Sequence, residues 1–301
     1  MPTLTVFTST YNRAHTLPRT YSSLCQQTCM DFDWLIVDDG STDHTGELVE
    51  KWMDENKIPI RYIYQENGGL YTGYNTAYAN ISSELNVCID SDDYMPNNAV
   101  ELILKLWNLK GSKKYLGIVG LDFNVKDGKA IGGYFPESLS EVFFVELRTK
   151  SLHYGDVKPV LRTDLMKKVA PQIGFPNEKN FNPLYMQLQL DNEYPMLVLN
   201  ENICWVDYQY QVGGDSMSKN IFKQYLNSPK SFAKTRLLEM SLKHSNLKYR
   251  FRSAIHYISS CIISKDKNWL KNTPYKGMTV MAIPMGILLY FYIKYKGSKR
   301  L

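Results

Sequence analysis

The chain has 301 residues, enough to bury a substantial core as one large domain or as one domain with an extension. Hydrophobic residues make up 44% and charged residues 22%, which excludes an intrinsically disordered protein. The net charge is only +5, but acidic clusters lie in the first third and basic residues close the chain. An anionic partner is therefore expected at the C-terminal end.

The five cysteines are odd in number and have no CxxC spacing, so neither a Cys₄ zinc site nor a disulfide framework is expected. This usage fits a reducing compartment. The first residues do not form a charged stretch followed by an apolar run, as a signal peptide would. These features predict a cytoplasmic protein.

Short apolar runs alternate with segments of helical periodicity through the first 125 residues. Strands are predicted at 4–8, 34–37, 60–64 and 85–89, and helices at 14–27, 47–55, 74–81 and 97–110. The alternation predicts an α/β fold with a doubly wound, mainly parallel sheet. Further strands are expected at 116–123, at 130–135 after an Asp-Gly-Lys hairpin turn, and at 155–161 before a helix.

Each of the early strands ends in a polar loop, and the strand at 85–89 ends in Asp90-Ser91-Asp92-Asp93. The carboxyl ends of parallel strands share one edge of a sheet, where α/β proteins bind ligands. Crowded carboxylates repel one another unless a cation lies between them, and Mg²⁺ or Mn²⁺ prefers such oxygen ligands. A metal-bridged diphosphate site is the functional interpretation. Turn and N-cap formation is the alternative, and we prefer it for Asp38 and Asp43.

The dinucleotide fingerprint G-x-G-x-x-G does not follow the first strand, and the P-loop pattern is absent. Nicotinamide Rossmann enzymes and P-loop NTPases are therefore disfavoured.

Four motifs follow one another along the first third of the chain. They are Thr8-Ser9-Thr10-Tyr11-Asn12-Arg13, Val37-Asp38-Asp39-Gly40-Ser41-Thr42-Asp43, Asn67-Gly68-Gly69 and Asp90-Ser91-Asp92-Asp93. In this order they resemble glycosyltransferase family 2, the inverting, metal-dependent GT-A-fold enzymes, here of the bacterial polysaccharide type. The resemblance is specific over residues 1–125 and weaker to residue 215.

The resemblance implies a role for individual residues. Asp39 would accept a hydrogen bond from the base N–H, which favours uracil, and Asp90 would hold the ribose hydroxyls. Asp92 would bind Mn²⁺ or Mg²⁺ together with the two phosphates. The other nucleotide-binding residues implied are Thr8, Tyr11, Arg13, Asn67, Gly68 and Ser91.

The chain departs from the family pattern at two positions. Leu70 replaces a basic residue after the two glycines, so phosphate charge must be met by the metal, by Arg13 or by backbone N–H groups. Leu184 stands where the family places the acid that deprotonates the acceptor. Glu178 and Asp191 are then the predicted catalytic carboxylates, with Asp156 a third.

The resemblance divides the chain into a nucleotide-sugar-binding half at 1–125, an acceptor-binding half at 126–218 and a helical C-terminal extension at 219–301. The polar segment 213–218 is expected to act as a lid over the donor, or to form an ordinary turn. Residues 278–293 lack charge but fall short of the roughly 20 residues of a spanning helix. With the tyrosines and lysines beside them, residues 278–301 suit peripheral membrane contact; packing on the protein is the alternative.

The sequence thus predicts a metal-dependent inverting glycosyltransferase of surface polysaccharide synthesis, in the cytoplasm or on the inner face of the cell membrane. It would move a sugar from a nucleoside diphosphate sugar, UDP-linked, to a saccharide or lipid-linked saccharide, without a nucleic acid partner. A nucleotidyltransferase is one alternative, although residues 8–13 contain no glycine. A non-catalytic sugar-nucleotide or partner-binding module is the other, and Leu184 favours it.

Overall fold

The computed structural model describes residues 2–207 and 221–298. The chain divides into two compact units. The sheet unit comprises Met1–Gln172 and Glu193–Tyr208, and the helical unit comprises Ile173–Asn192 and Gln209–Leu301.

The described residues of the sheet unit form one sheet of eight strands. The strands are β1 (Leu4–Thr10), β2 (Phe32–Asp38), β3 (Ile60–Tyr64), β4 (Leu85–Cys88), β5 (Gly117–Asn124), β6 (Glu141–Val142), β7 (Val157–Arg162) and β8 (Met196–Val206). Their order is β3-β2-β1-β4-β7-β5-β8-β6. Strands β1 to β4 run parallel, β7 runs antiparallel to β4 and β5, and β8 runs parallel to β5. The predicted doubly wound, mainly parallel sheet is confirmed.

Apolar runs on both faces of the central strands explain the packing of this sheet. Every residue of β2 is buried, as expected for a parallel strand covered by helices on both sides. On one face Tyr21 stacks on Trp52, with ring centroids 4.4 Å apart, and Trp34 of β2 lies beside them. The helices of this unit are α1 (Leu17–Cys25), α2 (Thr45–Glu55), α3 (Leu70–Asn80), α4 (Ala99–Lys110), α5 (Glu146–Thr149) and α6 (Thr163–Val169).

The helical unit is built around close contact between its two longest helices. A Cβ atom added at Gly286 would lie 2.5 Å from Ile258, so only glycine lets the two backbones approach this closely. Ala254 and Ala282 are fully buried in the same core. The helices are α7 (Leu184–Leu190), α8 (Ile221–Asn227), α9 (Pro229–Ser241), α10 (Leu247–Ser264), α11 (Trp269–Asn272) and α12 (Lys276–Ser298). Helix α12 is long and apolar enough to cross a membrane by length and composition.

The structure differs from the expected elements at one place. Residues 130–135 form no strand; Ala130 makes a single bridge to Phe123 after the expected turn, in which Gly128 has a φ of +68°. Residues 173–192, which fall within the expected acceptor-binding half, group with the helical unit. The expected lid at 213–218 lies outside the described residues.

Candidate nucleotide and metal site

The candidate site lies where the strand order of the sheet reverses. Strands β2 and β4 flank β1 on opposite sides, and all three run parallel. The residues that follow them, beginning with Tyr11, Asp39 and Ile89, therefore emerge at one edge of the sheet. Such a switch point is where open α/β sheets bind ligands.

Asp39 organises the loop that follows β3. Its carboxylate accepts hydrogen bonds from the backbone N–H groups of Gly68 and Gly69, both at 2.9 Å, and from Gln65 Nε2 at 2.7 Å. Asn67 Nδ2 donates to Asp39 Oδ2 at 3.2 Å and to the Asp39 carbonyl at 2.8 Å. Asp39 is buried. These donors occupy the acceptor sites that a carboxylate offers, so a base N–H would have to displace one of them.

The loop after β1 is fastened to the loop after β2. Asn12 adopts a φ of +54°, and its Oδ1 accepts from the Thr42 backbone N–H at 2.8 Å. The Asn12 backbone N–H donates to Ser41 Oγ at 2.8 Å. Tyr11 at this edge is 49% exposed, and Arg13 is close enough to Asp92 to lower the pKa of its carboxyl. The predicted ligand-facing loop is thus held in a fixed conformation.

Two acidic residues of the second loop act as expected for turns and caps. Asp38 accepts from the Ser41 N–H at 2.8 Å and from the Tyr62 hydroxyl at 2.7 Å. Asp43 accepts from the Thr45 N–H at 3.0 Å, at the start of α2. The capping and turn interpretation preferred for both residues is confirmed.

The side chain of Thr8 is hydrogen-bonded inside the sheet unit, and the nucleotide contact implied for Thr8 stays a prediction. Its side chain is fully buried. The hydroxyl donates to the Ile89 carbonyl at 2.8 Å and accepts from Trp34 Nε1 at 3.0 Å. Thr8 therefore positions the strand end before Asp90 and has no hydroxyl proton left for a ligand.

The motif after β4 presents one exposed and one half-buried carboxylate, Asp90 and Asp92, with the buried Ser91 between them. Burial and then the Asp90 charge raise the pKa of Asp92, whereas Arg13 and Arg19 lower it. Arg19 of α1 also donates to the Asp92 backbone carbonyl. Arg19 therefore holds the Asp92 backbone, while the Asp92 side chain remains near the negative charge of Asp90.

A buried ionic cluster lies beneath this motif. Lys158 of β7 has its Nζ 3.6 Å from Asp93 Oδ2 and 3.9 Å from Asp122 Oδ1. All three residues are less than a tenth exposed. Burial raises the pKa of both carboxyls against the opposing effect of the Lys158 charge. The buried ammonium group of Lys158 thus pairs with the buried carboxyl groups of both Asp93 and Asp122.

The residues at this edge fit a divalent cation that is shared with a substrate. Within 2–207 and 221–298, no group of three or more His, Cys, Asp or Glu side chains is arranged to hold a metal by itself. Asp90 and Asp92 nevertheless supply hard oxygen ligands, and a cation bound between them would stabilise the charged form of Asp92, whose pKa is raised by burial and then by the Asp90 charge. The rest of a coordination shell is then expected from phosphate oxygens and water.

The predicted catalytic carboxylates belong to the helical unit and are buried. Glu178 accepts from the backbone N–H groups of Lys230 at 3.0 Å and Ser231 at 2.8 Å, and from the Ser231 hydroxyl at 2.7 Å. It therefore caps the start of α9. Asp191 is fully buried after α7. Asp156 belongs to the sheet unit and is exposed.

Three residues of this site were not identified from the sequence. Arg19 occurs within a helix, Lys158 within a strand, and Gln65 in a loop. Their roles depend on long-range pairing across the sheet, at sequence separations of 73, 65 and 26 residues from Asp92, Asp93 and Asp39. Lys158 is the one that carried a sequence signal, because a lysine within the mostly apolar run Val157–Leu161 is unusual.

A doubly wound sheet with anchored polar loops and paired carboxylates at its switch point is an arrangement in which open α/β proteins bind ligands. Residues 5–124 match the model of glycosyl transferase family 2. It is 34% identical to a chondroitin synthase of Pasteurella multocida over 105 residues, which are 35% of this chain and 11% of that protein. The chain spans less than half the length of the first curated relatives it matches.

Solved structures share the fold over nearly the whole chain. S. aureus TarS in complex with UDP-GlcNAc aligns with a TM-score of 0.61 and 18% identity, over 99% of this chain and 88% of that one. A mannosyltransferase of Pyrobaculum calidifontis in complex with GDP-Man and Mn²⁺ aligns with a TM-score of 0.55 and 15% identity, over 97% and 87%. The predicted GT-A-like fold and the resemblance to family 2 are confirmed.

Proposed function

We propose that this protein is a metal-dependent inverting glycosyltransferase that uses a nucleoside diphosphate sugar, UDP-linked, in surface polysaccharide synthesis. The acceptor in this proposal is a saccharide or lipid-linked saccharide, reached from the cytoplasm or the inner face of the cell membrane. The match of residues 5–124 to the family 2 model, the chondroitin synthase relative and the UDP-GlcNAc complex of a protein with this fold support it.

One observation carries the proposal. Asp39 with its anchored loop and the carboxylates Asp90 and Asp92 follow the two strands that flank β1. A site on such an edge accommodates a nucleoside on the β2 side and a diphosphate near the carboxylates. Because the sheet unit contains 25 Asp and Glu against 17 Lys and Arg, a bare diphosphate would be repelled.

Each residue of the site would have its own role in binding the donor. Asp39 fixes the loop containing Asn67 and Gly68, which borders the nucleoside. Asp90 accepts from ribose hydroxyls, and Asp92 would hold Mn²⁺ or Mg²⁺ together with phosphate oxygens. The bound cation would offset the charge that builds on the leaving nucleoside diphosphate. Arg13 adds positive charge on the same side.

The transfer itself needs a carboxylate base. An acceptor hydroxyl attacks the anomeric carbon in line, the base takes its proton, and the bond from that carbon to the diphosphate breaks. Of the three candidate carboxylates, Asp156 has the exposure that this task requires, and its charge, like that of Asp90, contributes to the raised pKa of Asp122 after burial. Glu178 and Asp191 are enclosed.

A base-variant series tests this assignment in a donor-turnover assay with matched measurements of UDP affinity. Asp156→Asn should lower turnover about 100-fold or more, a typical loss for a general base, at unchanged UDP affinity. Glu178→Gln and Asp191→Asn should retain turnover per folded molecule. Unchanged turnover in Asp156→Asn with a loss in Glu178→Gln would return the role to Glu178.

A non-catalytic sugar-nucleotide-binding module is the second candidate. Leu184 at the start of α7 and the enclosure of Glu178 and Asp191 favour it. A thermal-shift screen of nucleoside diphosphate sugars, with and without Mn²⁺, followed by assay of each binder for transfer and hydrolysis, separates the two. Binding without any turnover across acceptors would support the module.

A further inference from the structure

Helix α12 of the helical unit has an apolar face that its neighbours leave uncovered. Thr279, Ala282, Gly286 and Ile293 form its buried stripe. On the opposite side of the helix, five large apolar or aromatic side chains are 42–68% exposed. They are Met281, Met285, Leu288, Phe291 and Tyr295. An exposed apolar face of this length marks an interaction surface.

The charge around this apolar face indicates what kind of partner binds it. Residues 221–298 contain 14 Lys and Arg against two Asp and Glu. Lys294 and Lys296 lie near the rings of Tyr290 and Tyr292, at 6.0 and 5.8 Å, and border the apolar face at its C-terminal end. A second copy of the chain would bring the same positive charge, whereas an anionic lipid surface would complement it.

The packing of α12 indicates that it lies along the membrane instead of crossing it. Its first half packs on α10 at Gly286, and α10 carries Lys248, Arg250 and Arg252. Its second half packs on α8, where a Cβ added at Gly297 would lie 2.5 Å from Leu226. A spanning α12 would draw these charged neighbours toward the hydrocarbon of the bilayer, where charged side chains are unfavourable.

We propose that α12 is an in-plane membrane anchor that inserts its exposed apolar face into the interface of a bilayer rich in anionic lipid. The tyrosines sit at headgroup level, and the lysines reach toward the lipid phosphates. This anchor does not depend on the proposed glycosyl transfer, because it resides in the helical unit alone.

Sedimentation with vesicles of phosphatidylcholine, alone or mixed with phosphatidylglycerol, tests the anchor on the full chain. The mixed vesicles should bind the protein at least about tenfold more tightly, and high salt should reduce this preference. Leu288→Glu with Phe291→Glu should abolish binding without unfolding the protein, since both side chains are exposed. Leu247→Glu, which replaces a residue that is 72% exposed on α10, is the control.

A tryptophan at position 291 supplies a second readout. Phe291→Trp should show blue-shifted emission on anionic vesicles and quenching by brominated lipid chains. Absence of sedimentation, equal binding of the Glu variant, or a wild-type dimer in light scattering that Leu288→Glu dissolves would each overturn the proposal. UDP binding in solution, measured in parallel, tests the proposed enzyme function independently of membrane binding.

Discussion

Asp39 and Asp92 are the same residue type in opposite environments. Asp39 is buried and has its charge met by several hydrogen-bond donors. Asp92 is half-buried beside Asp90, and its raised pKa shows that its charge is incompletely met. The first arrangement holds a loop in place, and the second is suited to a cation that arrives with its ligand.

The loop role of Asp39 predicts a loss of nucleotide affinity through geometry. In Asp39→Asn an amide N–H₂ would face the N–H groups of Gly68 and Gly69, so at least one donor loses its acceptor. We expect UDP affinity to fall about tenfold and the unfolding free energy to fall by about 1–3 kcal/mol. Calorimetric titration and urea denaturation measure the two effects, with the exposed Asp54→Asn as control. Equal UDP affinity in both variants would exclude the role.

Substitution of Lys158 should lower the free energy of unfolding more than substitution of any surface lysine. Lys158→Met would leave Asp93 and Asp122 buried without their cation, and breaking a buried pair typically costs about 3–5 kcal/mol. Replacing both acids by Asn in the same background should recover much of that loss, as denaturant midpoints would show. If this triple variant is no more stable than Lys158→Met, the cluster stabilises the protein by packing alone.

At the scale of elements, Glu178 shows how one carboxylate can fasten a helix from a distance in sequence. It satisfies two of the free N–H groups at the start of α9, 52 and 53 residues away. Glu178→Ala should therefore lower the unfolding free energy by about 1–2 kcal/mol. Glu178→Gln, which keeps one acceptor oxygen, should cost less. Chemical denaturation followed by circular dichroism checks this order, and equal stability of both variants with wild type would contradict it.

The elements of the sheet unit were readable because their apolar runs and periodicity are local properties of the chain. Predicted strand 60–64 coincides with β3, and α4 ends at Lys110 as expected. Helix α3 starts earlier than predicted, at Leu70, because Gly69 with a φ of +96° ends the preceding loop there. Residues 130–135 read as a strand but find a partner only at Ala130, which the sequence does not reveal.

The site was readable in part for the same reason. The order of the polar loops identified Asp39, Asp90 and Asp92 as belonging to one edge of the sheet. Their hydrogen-bond partners come from long-range pairing, so the burial of Thr8 and the grouping of residues 173–192 with the helical unit were not predictable. Local patterns thus specify which strand ends meet, and tertiary contacts decide which side chains remain accessible.

At the scale of the whole molecule, charge is divided between the units. The sheet unit has an acidic excess, and the described part of the helical unit has a strongly basic one. This division fits the two proposals, in which a nucleotide binds the sheet unit together with a cation and the helical unit binds an anionic surface.

The helical unit should lose stability in mild acid. Burial and the charges of Arg236 and Arg252 lower the pKa of His256 to about 4, against about 6.5 in an unfolded chain. The unfolded state therefore binds more protons between these two values. As the pH drops from 6.5 toward 4, the unfolding free energy should fall by up to about 1.4 kcal/mol for each step of one in pH.

Urea denaturation at pH 7 and pH 5 checks this effect. His256→Gln should lose less stability between the two pH values than wild type, while the exposed His15→Gln should behave as wild type does. The same loss in all three proteins would assign the acid sensitivity to other groups.

Calorimetric titration of UDP into wild type and Asp92→Asn, each with and without Mn²⁺, tests the central claim most directly. We predict that Mn²⁺ tightens UDP binding to wild type by at least about tenfold and that Asp92→Asn loses this gain while it remains folded. A variant that keeps the full Mn²⁺-dependent gain, or a wild type that binds UDP equally without the metal, would contradict a cation site at the end of β4.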